Sequence, residues 1–189
     1  MRKTLLCLIL CGLTLSLKAQ NKSVEKSIFE IQTGFLGIWG HHEAKLYNAI
    51  VLRTEIGFDS GIWGGDFYEK TGFLLTPVIT VEPRWYYNLN KRVKKSKTIE
   101  NNSGNFIALK TSYHPDWFVI SNYSNVNIIS DISIIPTWGI RRNLGNHFNY
   151  EAGFGVGYHY IFAKNTGFID NSNKGEVDLN LHLRIGYRF

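Results

Sequence analysis

Val177-Asp178-Leu179-Asn180-Leu181-His182-Leu183-Arg184-Ile185-Gly186-Tyr187-Arg188-Phe189 ends the chain, and its alternate positions have opposite character. Val177, Leu179, Leu181, Leu183, Ile185, Tyr187 and Phe189 share one parity, and Asp178, Asn180, His182, Arg184, Gly186 and Arg188 share the other. Successive side chains of a strand face opposite sides of a sheet, so this stretch reads as a strand with one apolar face and one polar face. It has the length to cross a membrane at a tilt, which takes about 9–11 residues.

The same period recurs upstream. Over 147–163, Phe148, Tyr150, Ala152, Phe154, Val156, Tyr158, Tyr160 and Phe162 oppose a polar and glycine-rich set. Residues 126–141, 105–119 and 74–89 repeat the pattern, and 28–40 and 45–58 follow it more loosely. A soluble sandwich alternates too, with its apolar face inward. Here the strands are longer than the soluble average of about 5–6 residues. Trp and Tyr sit near the ends of the apolar face, as membrane interfaces favour. The polar face mixes both charge signs with glycine, as a narrow filled lumen would. The expected architecture is therefore all-β, an antiparallel transmembrane β-barrel.

The first residues supply a route to a membrane. Arg2 and Lys3 precede an apolar run from Leu5 to Leu17, and Ala19 closes it. This is the form of a secretory signal peptide, too short for a membrane-spanning helix. Residues 1–19 are assigned to the signal and 20–189 to the barrel. Lipoprotein processing is disfavoured, because Leu6 and Leu10 precede Cys7 and Cys11 where a small residue is usual. With those two cysteines removed, no disulfide and no Cys-type zinc site is expected. Loss of Arg2, Lys3 and Lys18 lowers the formal charge from +6 to +3. Lys91, Arg92, Lys94, Lys95 and Lys97 concentrate positive charge in one segment, a local patch and not a nucleic-acid-binding surface.

The ending Leu181-x-Leu183-x-Ile185-x-Tyr187-x-Phe189 resembles the C-terminal signal by which outer-membrane barrels are recognised by their insertion machinery. The chain resembles the small outer-membrane β-barrel proteins of Gram-negative bacteria, OmpA/OmpX-like in size, and Val81-Glu82-Pro83-Arg84-Trp85-Tyr86-Tyr87-Asn88-Leu89 looks typical of an uncharacterised branch of that family. The resemblance implies an outer-membrane location, with membrane lipid and the barrel-assembly machinery as partners. Such barrels have an even number of strands and both termini periplasmic. Counting back from Phe189 makes 164–176 extracellular, Arg142–Asn146 a periplasmic turn and 90–104 periplasmic. Eight strands then require a third early one, placed in Gly61–Tyr68 after a turn at Asp59-Ser60-Gly61. Pro83/Trp85, Pro115/Trp117 and Pro136/Trp138 fall in strands with outward parity, and are expected to mark lost register or bulges.

The expected lumen set is Glu30, Arg53, Glu55, Glu82, Arg84, Lys110, His114, Asp116, Asp131, Arg141, Glu151, His182, Arg184 and Arg188. Charges in a low dielectric must be paired, so the simplest expectation is a salt-bridged plug; a small ligand cavity is the alternative. Gly153, Gly155 and Gly157 would leave room for long Arg and Tyr side chains opposite. Ser112, His114 and Asp116 share a face and invite a hydrolase, but they lie on one strand and do not converge from several. His41-His42 is read as a turn without the further ligands of a metal site. The basic run 91–97 reads as a solvated turn, with contact to anionic lipid or another envelope component as its alternative. No catalytic, cofactor-binding or metal residue is assigned. The expected role is non-enzymatic: structural, interaction or minor binding. A carrier or channel for a small hydrophobic ligand or solute, and a lipid A-modifying hydrolase, stand behind it.

Phe189 closes the apolar face of the last strand, so its deletion should reduce membrane insertion and leave protease-sensitive chain. Fractionation and protease digestion of the truncated protein measure this; normal insertion would show that the terminal motif is not read.

Overall fold

The computed structural model describes residues 23–66, 70–124, 126–163 and 174–189; the expected signal peptide lies outside them. The long strands are β1 (Ser27–Gly34), β2 (Gly37–Tyr47), β3 (Ile50–Trp63), β4 (Gly72–Trp85), β5 (Asn105–His114), β7 (Asp131–Leu144), β8 (Phe148–Ile161) and β9 (Lys174–Arg188), with a two-residue β6 (Ile120–Ser121). Each long strand pairs antiparallel with its neighbours in sequence. β1 also pairs with β9, from Glu30↔Arg188 to Gly34↔Arg184. The sheet thus closes into an eight-stranded antiparallel barrel, with β6 a short addition on the end of β4. Closure removes the free edges that would otherwise expose unpaired backbone groups.

The expected strand number holds, but the early strands fall elsewhere. Residues 28–40 form a hairpin, with Gly34 opposite Gly37 around Phe35-Leu36. Residues 45–58 straddle the β2–β3 turn, and β3 runs without interruption through Asp59, Ser60 and Gly61. The missing strand is therefore β2, and residues 61–63, where a separate strand was expected to begin, belong to β3; residues 67 and 68 of the expected segment lie outside the described residues. An apolar turn hid it, since Phe35 and Leu36 carry no polar turn signal. His41 and His42 accordingly lie within β2 rather than in a turn.

The expected alternation holds along the strands. Outward positions such as Ile31, Ile56, Val81, Phe154, Leu179 and Leu183 are exposed, while inward ones such as Glu30, Arg53, Glu82, Arg141 and Glu151 are buried. The prolines behave differently from expectation. In β4, the ladder to β5 skips Glu82 and Pro83 between Val81↔Thr111 and Arg84↔Ala108 without changing register. In β7, the ladder to β8 skips Ile135 and Pro136 between Ile134↔Tyr158 and Thr137↔Gly155, again in constant register. Proline lacks the N–H, so ladder bonds are missing there without a bulge. Pro115 and Trp117 lie beyond the end of β5.

Two ends can be distinguished. One carries the β2–β3 turn, the β7–β8 turn at Gly145, the C-terminus and the segment 86–104, which contains α1 (Leu89–Lys94) and a short 3-10 turn (Glu100–Asn102). Leu89, expected to face outward on a strand, instead folds inward with Val24, Val51, Tyr86, Ile99, Phe106 and Ala108 as an apolar floor. This is the closed end. The opposite end carries the Phe35-Leu36 turn and the connections after β3, β5 and β8.

Gly37 has φ +149, and a Cβ there would lie 2.0 Å from the Phe58 carbonyl oxygen. Gly37→Val should therefore destabilise the barrel by at least about 2 kcal/mol. Gly40→Val, whose added Cβ would meet nothing closer than 4.0 Å, should cost far less. The temperature at which the compact form unfolds on a gel separates them.

Candidate functional site

Above the floor lies a layer of buried charge supplied by the inward positions of seven strands. Glu43 (β2) accepts from Arg141 Nη1 at 2.8 Å, Asn102 Nδ2 at 2.7 Å and Tyr86 Oη at 3.3 Å. Glu151 (β8) takes both Arg84 Nη groups at 2.8 Å each, and has Arg53 Nη1 at 3.5 Å. Arg84 also bonds Glu82 at 2.9 Å, with its guanidinium 4.2 Å from the Phe106 ring centroid. Glu30 pairs with Arg141 and accepts from Asn149 Nδ2 at 3.0 Å. Glu55 joins Arg53 to Arg184, the latter at 2.8 Å. Arg53 further donates to Gln32 at 2.8 Å, and Arg184 stacks 3.7 Å from the Trp39 ring.

The members of this layer nearly balance. Glu30, Glu43, Glu55, Glu82 and Glu151 face Arg53, Arg84, Arg141 and Arg184. Lys110, in electrostatic range of Glu55 and Glu82, supplies a further positive charge. Charges withdrawn from water are tolerated only when paired in this way. The layer and the floor beneath it together fill the lumen towards the closed end, as expected for a barrel of eight strands.

The other half of the lumen is more open. A cavity has Trp39, Lys110, Ser112, Ile135, His182 and Arg184 in its lining. Plug and cavity, posed as alternatives from the sequence, thus occupy different halves of one lumen. The glycines make room for neighbours other than Arg and Tyr. A Cβ at Gly153 would meet His182 at 2.6 Å, and one at Gly155 would meet Thr137 Oγ1 at 2.6 Å.

At the open rim, carboxylates and imidazoles alternate across five strands. Asp59 accepts from Trp39 Nε1 at 2.7 Å and faces His114 Nε2 at 3.0 Å. His114 Nδ1 meets Asp131 at 2.8 Å, and the same oxygen meets His159 Nε2 at 3.0 Å. His159 Nδ1 lies 3.6 Å from Glu176. The chain runs through β3, β5, β7, β8 and β9, lacing the rim together.

The serine, histidine and aspartate weighed as a hydrolase are not brought together. Ser112 Oγ bonds Thr80 Oγ1 at 2.9 Å, both His114 nitrogens face carboxylates, and Asp116 is exposed beyond β5 and not in the lumen. His41 is buried 3.5 Å from Glu30, whereas His42 faces outward, stacked on Phe29 and bonded to Ser27. Among the described residues no cluster of three or more His, Cys, Asp or Glu suits a metal ion. Arg188 sits at the closed end, bonded to the Asn146 carbonyl, and takes no part in the charged layer. Residues missed from the sequence include Glu43, Trp39, Asp59 and Asn102. The parity shared by Trp39, His41, Glu43 and Lys45 could have revealed Glu43; nothing local marks Asn102, which arrives from outside the strands.

No family model matches this chain, and comparison with curated proteins and with solved structures likewise found no match.

Arg84→Met should destabilise by roughly 3–5 kcal/mol, because it leaves Glu82 and Glu151 charged without their shared partner. Adding Glu151→Gln should recover part of that loss. Equilibrium unfolding of the two variants measures the coupling; full stability of Arg84→Met alone would mean the layer is hydrated.

Proposed function

We propose that this chain is an integral outer-membrane β-barrel of a Gram-negative bacterium, non-enzymatic and closed to free diffusion, with a structural, interaction or binding role. The observation that carries the proposal is the inversion of burial. Ile31, Ile56, Val81, Leu109, Leu181 and Leu183 face outward and exposed, around a lumen of buried Arg and Glu. In water this arrangement would expose apolar surface on all sides, well beyond the few hundred Å² usual for a soluble monomer. In lipid, the same surface is solvated and the closed ladder satisfies the backbone.

Exposed aromatics at both ends of the apolar band support the same placement. Tyr47, Trp85, Tyr87, Phe148 and Tyr187 ring the closed end, and Phe35, Phe73, Tyr158 and Phe162 stand towards the open one. Interfacial aromatics of this kind flank the lipid-facing band of outer-membrane barrels. The signal-like N-terminus and the terminal Phe189 motif favour the outer membrane and assembly through its insertion machinery. On this view the closed end is periplasmic and the cavity opens outward. That cavity favours a second role within the same frame, the binding of a small ligand from outside.

Purified protein in detergent should give a β-dominated circular-dichroism spectrum and migrate faster unheated than boiled. In planar bilayers it should show little steady conductance, because floor and charged layer block the lumen. Solubility as a folded monomer without detergent would overturn the membrane proposal; large stable single-channel currents would overturn the closed lumen.

A further inference from the structure

Charge outside the buried layer has opposite sign at the two ends of the barrel. At the open end stand Asp59, Asp66, Asp116, Asp131, Glu176 and Asp178, against Lys70 and Lys174 among the described residues. At the closed end, Lys91, Arg92, Lys94, Lys95 and Lys97 follow one another with no acid between Trp85 and Ile99. Arg142 and Arg188 lie at strand ends on the same side, where Glu25 and Glu100 are the nearest acids by position.

The basic surface is held in a fixed fold. Leu89 and Ile99 anchor its two sides in the apolar floor, and Val93 packs against it. Arg92 is occupied within the segment, donating to the Thr98 carbonyl at 3.0 and 2.8 Å and to Ser103 Oγ at 3.2 Å. The backbone N–H of Lys97 returns to the Arg92 carbonyl at 2.9 Å. Lys91, Lys94, Lys95 and Lys97 remain exposed, and among the described residues none of their ammonium groups has a hydrogen-bond or ion-pair partner. A folded cap therefore presents four uncompensated cations.

Their position relative to the aromatics indicates what they meet. Trp138 Nε1 donates to Tyr87 Oη at 2.8 Å, and Trp85 packs edge-on against Tyr87. All three are exposed on the outer face at the closed end. Aromatics of this kind settle at the headgroup level. Lys91 follows Tyr87 by four residues, so the basic run starts within a few residues of the level that these aromatics mark.

We propose that the α1 cap is a recognition surface for anionic phospholipid headgroups, contacted by Lys91, Lys94, Lys95 and Lys97 in the leaflet whose edge Trp85, Tyr87 and Trp138 mark. It rests on the membrane placement proposed above. The attraction is electrostatic, adds up over neighbouring lysines and is screened by salt.

The test uses the folded barrel in phosphatidylcholine bilayers carrying a trace of spin-labelled phosphatidylglycerol or spin-labelled phosphatidylcholine. Electron paramagnetic resonance reads the fraction of each label restricted at the protein surface. The parent should favour phosphatidylglycerol by roughly threefold or more at low salt, and the preference should fall towards unity at about 0.5 M salt. In K91Q/K94Q/K95Q/K97Q, with its heat-dependent gel shift retained, both labels should be restricted equally. Equal restriction by the parent, or an unchanged preference in the glutamine variant, overturns the proposal while leaving the membrane placement standing. Absence of a restricted component for either label defeats both. Sedimentation with cell-wall sacculi is the companion measurement: lysine-dependent retention there, with no lipid preference, would assign the surface to a wall polymer instead.

Discussion

The carboxylate of Glu151 receives two hydrogen bonds from Arg84, with Arg53 also close to one of its oxygens. Much of the molecule is arranged around the need to make contacts of this type. At the level of this layer a barrel of eight strands is too narrow to hold bulk water, so charge placed inside must be answered by opposite charge, from the same strand or from another. The pairs in this layer reach across the lumen: Arg141 to Glu43 joins β7 to β2, Arg84 to Glu151 joins β4 to β8, and Arg184 to Glu55 joins β9 to β3. The backbone ladders close the cylinder, and these links brace it internally. The apolar floor finishes the same task, because Phe106 and Tyr86 cover the face of the layer that solvent would otherwise reach.

Most of this was legible because the side-chain period of a strand is two. Arg53 with Glu55, Glu82 with Arg84, and Glu151 with Arg184 share the inward parity of their strands, and each was assigned correctly before any register was known. Partners could not be assigned in the same way, since Glu43 and Arg141 are brought together only by closure. β2 escaped notice for a local reason: its turn is Phe35-Leu36, whose apolar side chains continue the pattern of a strand. The loss of β2 carried Trp39 and Glu43 with it and displaced His41 and His42 into a turn. Leu89 was misplaced because period two continues by accident from Trp85 and Tyr87 into a helix that folds under the barrel.

The candidate site divides in a similar way. Lys110, Ser112, His114 and His182 were expected in the lumen from parity, and they contribute to its open half. Their chemistry depends on partners from other strands. His114 is held between Asp59 and Asp131, so its role at the rim is that of a clasp between β3 and β7, whereas its own strand suggested a neighbour of Ser112. Two halves with different filling follow from composition: long Arg and Glu side chains crowd the lower half, while Ser112, Ser133, Gly153 and Asn180 leave the upper half less full.

The crossing ion pairs also constrain how the barrel can be assembled. Arg184 and Glu55 are separated by 129 residues, Arg141 and Glu43 by 98, and Arg84 and Glu151 by 67. None of these pairs can form inside a single hairpin. In the membrane setting proposed above, a half-built sheet entering lipid would carry Glu43 and Glu55 on an unprotected face, with Arg141 and Arg184 not yet in place. Loop closure over such separations is slow, because its entropic cost precedes the contacts that offset it. In that setting, passage into the membrane and closure of β1 on β9 would be one cooperative event, and the charged layer of the finished barrel would oppose building it one hairpin at a time.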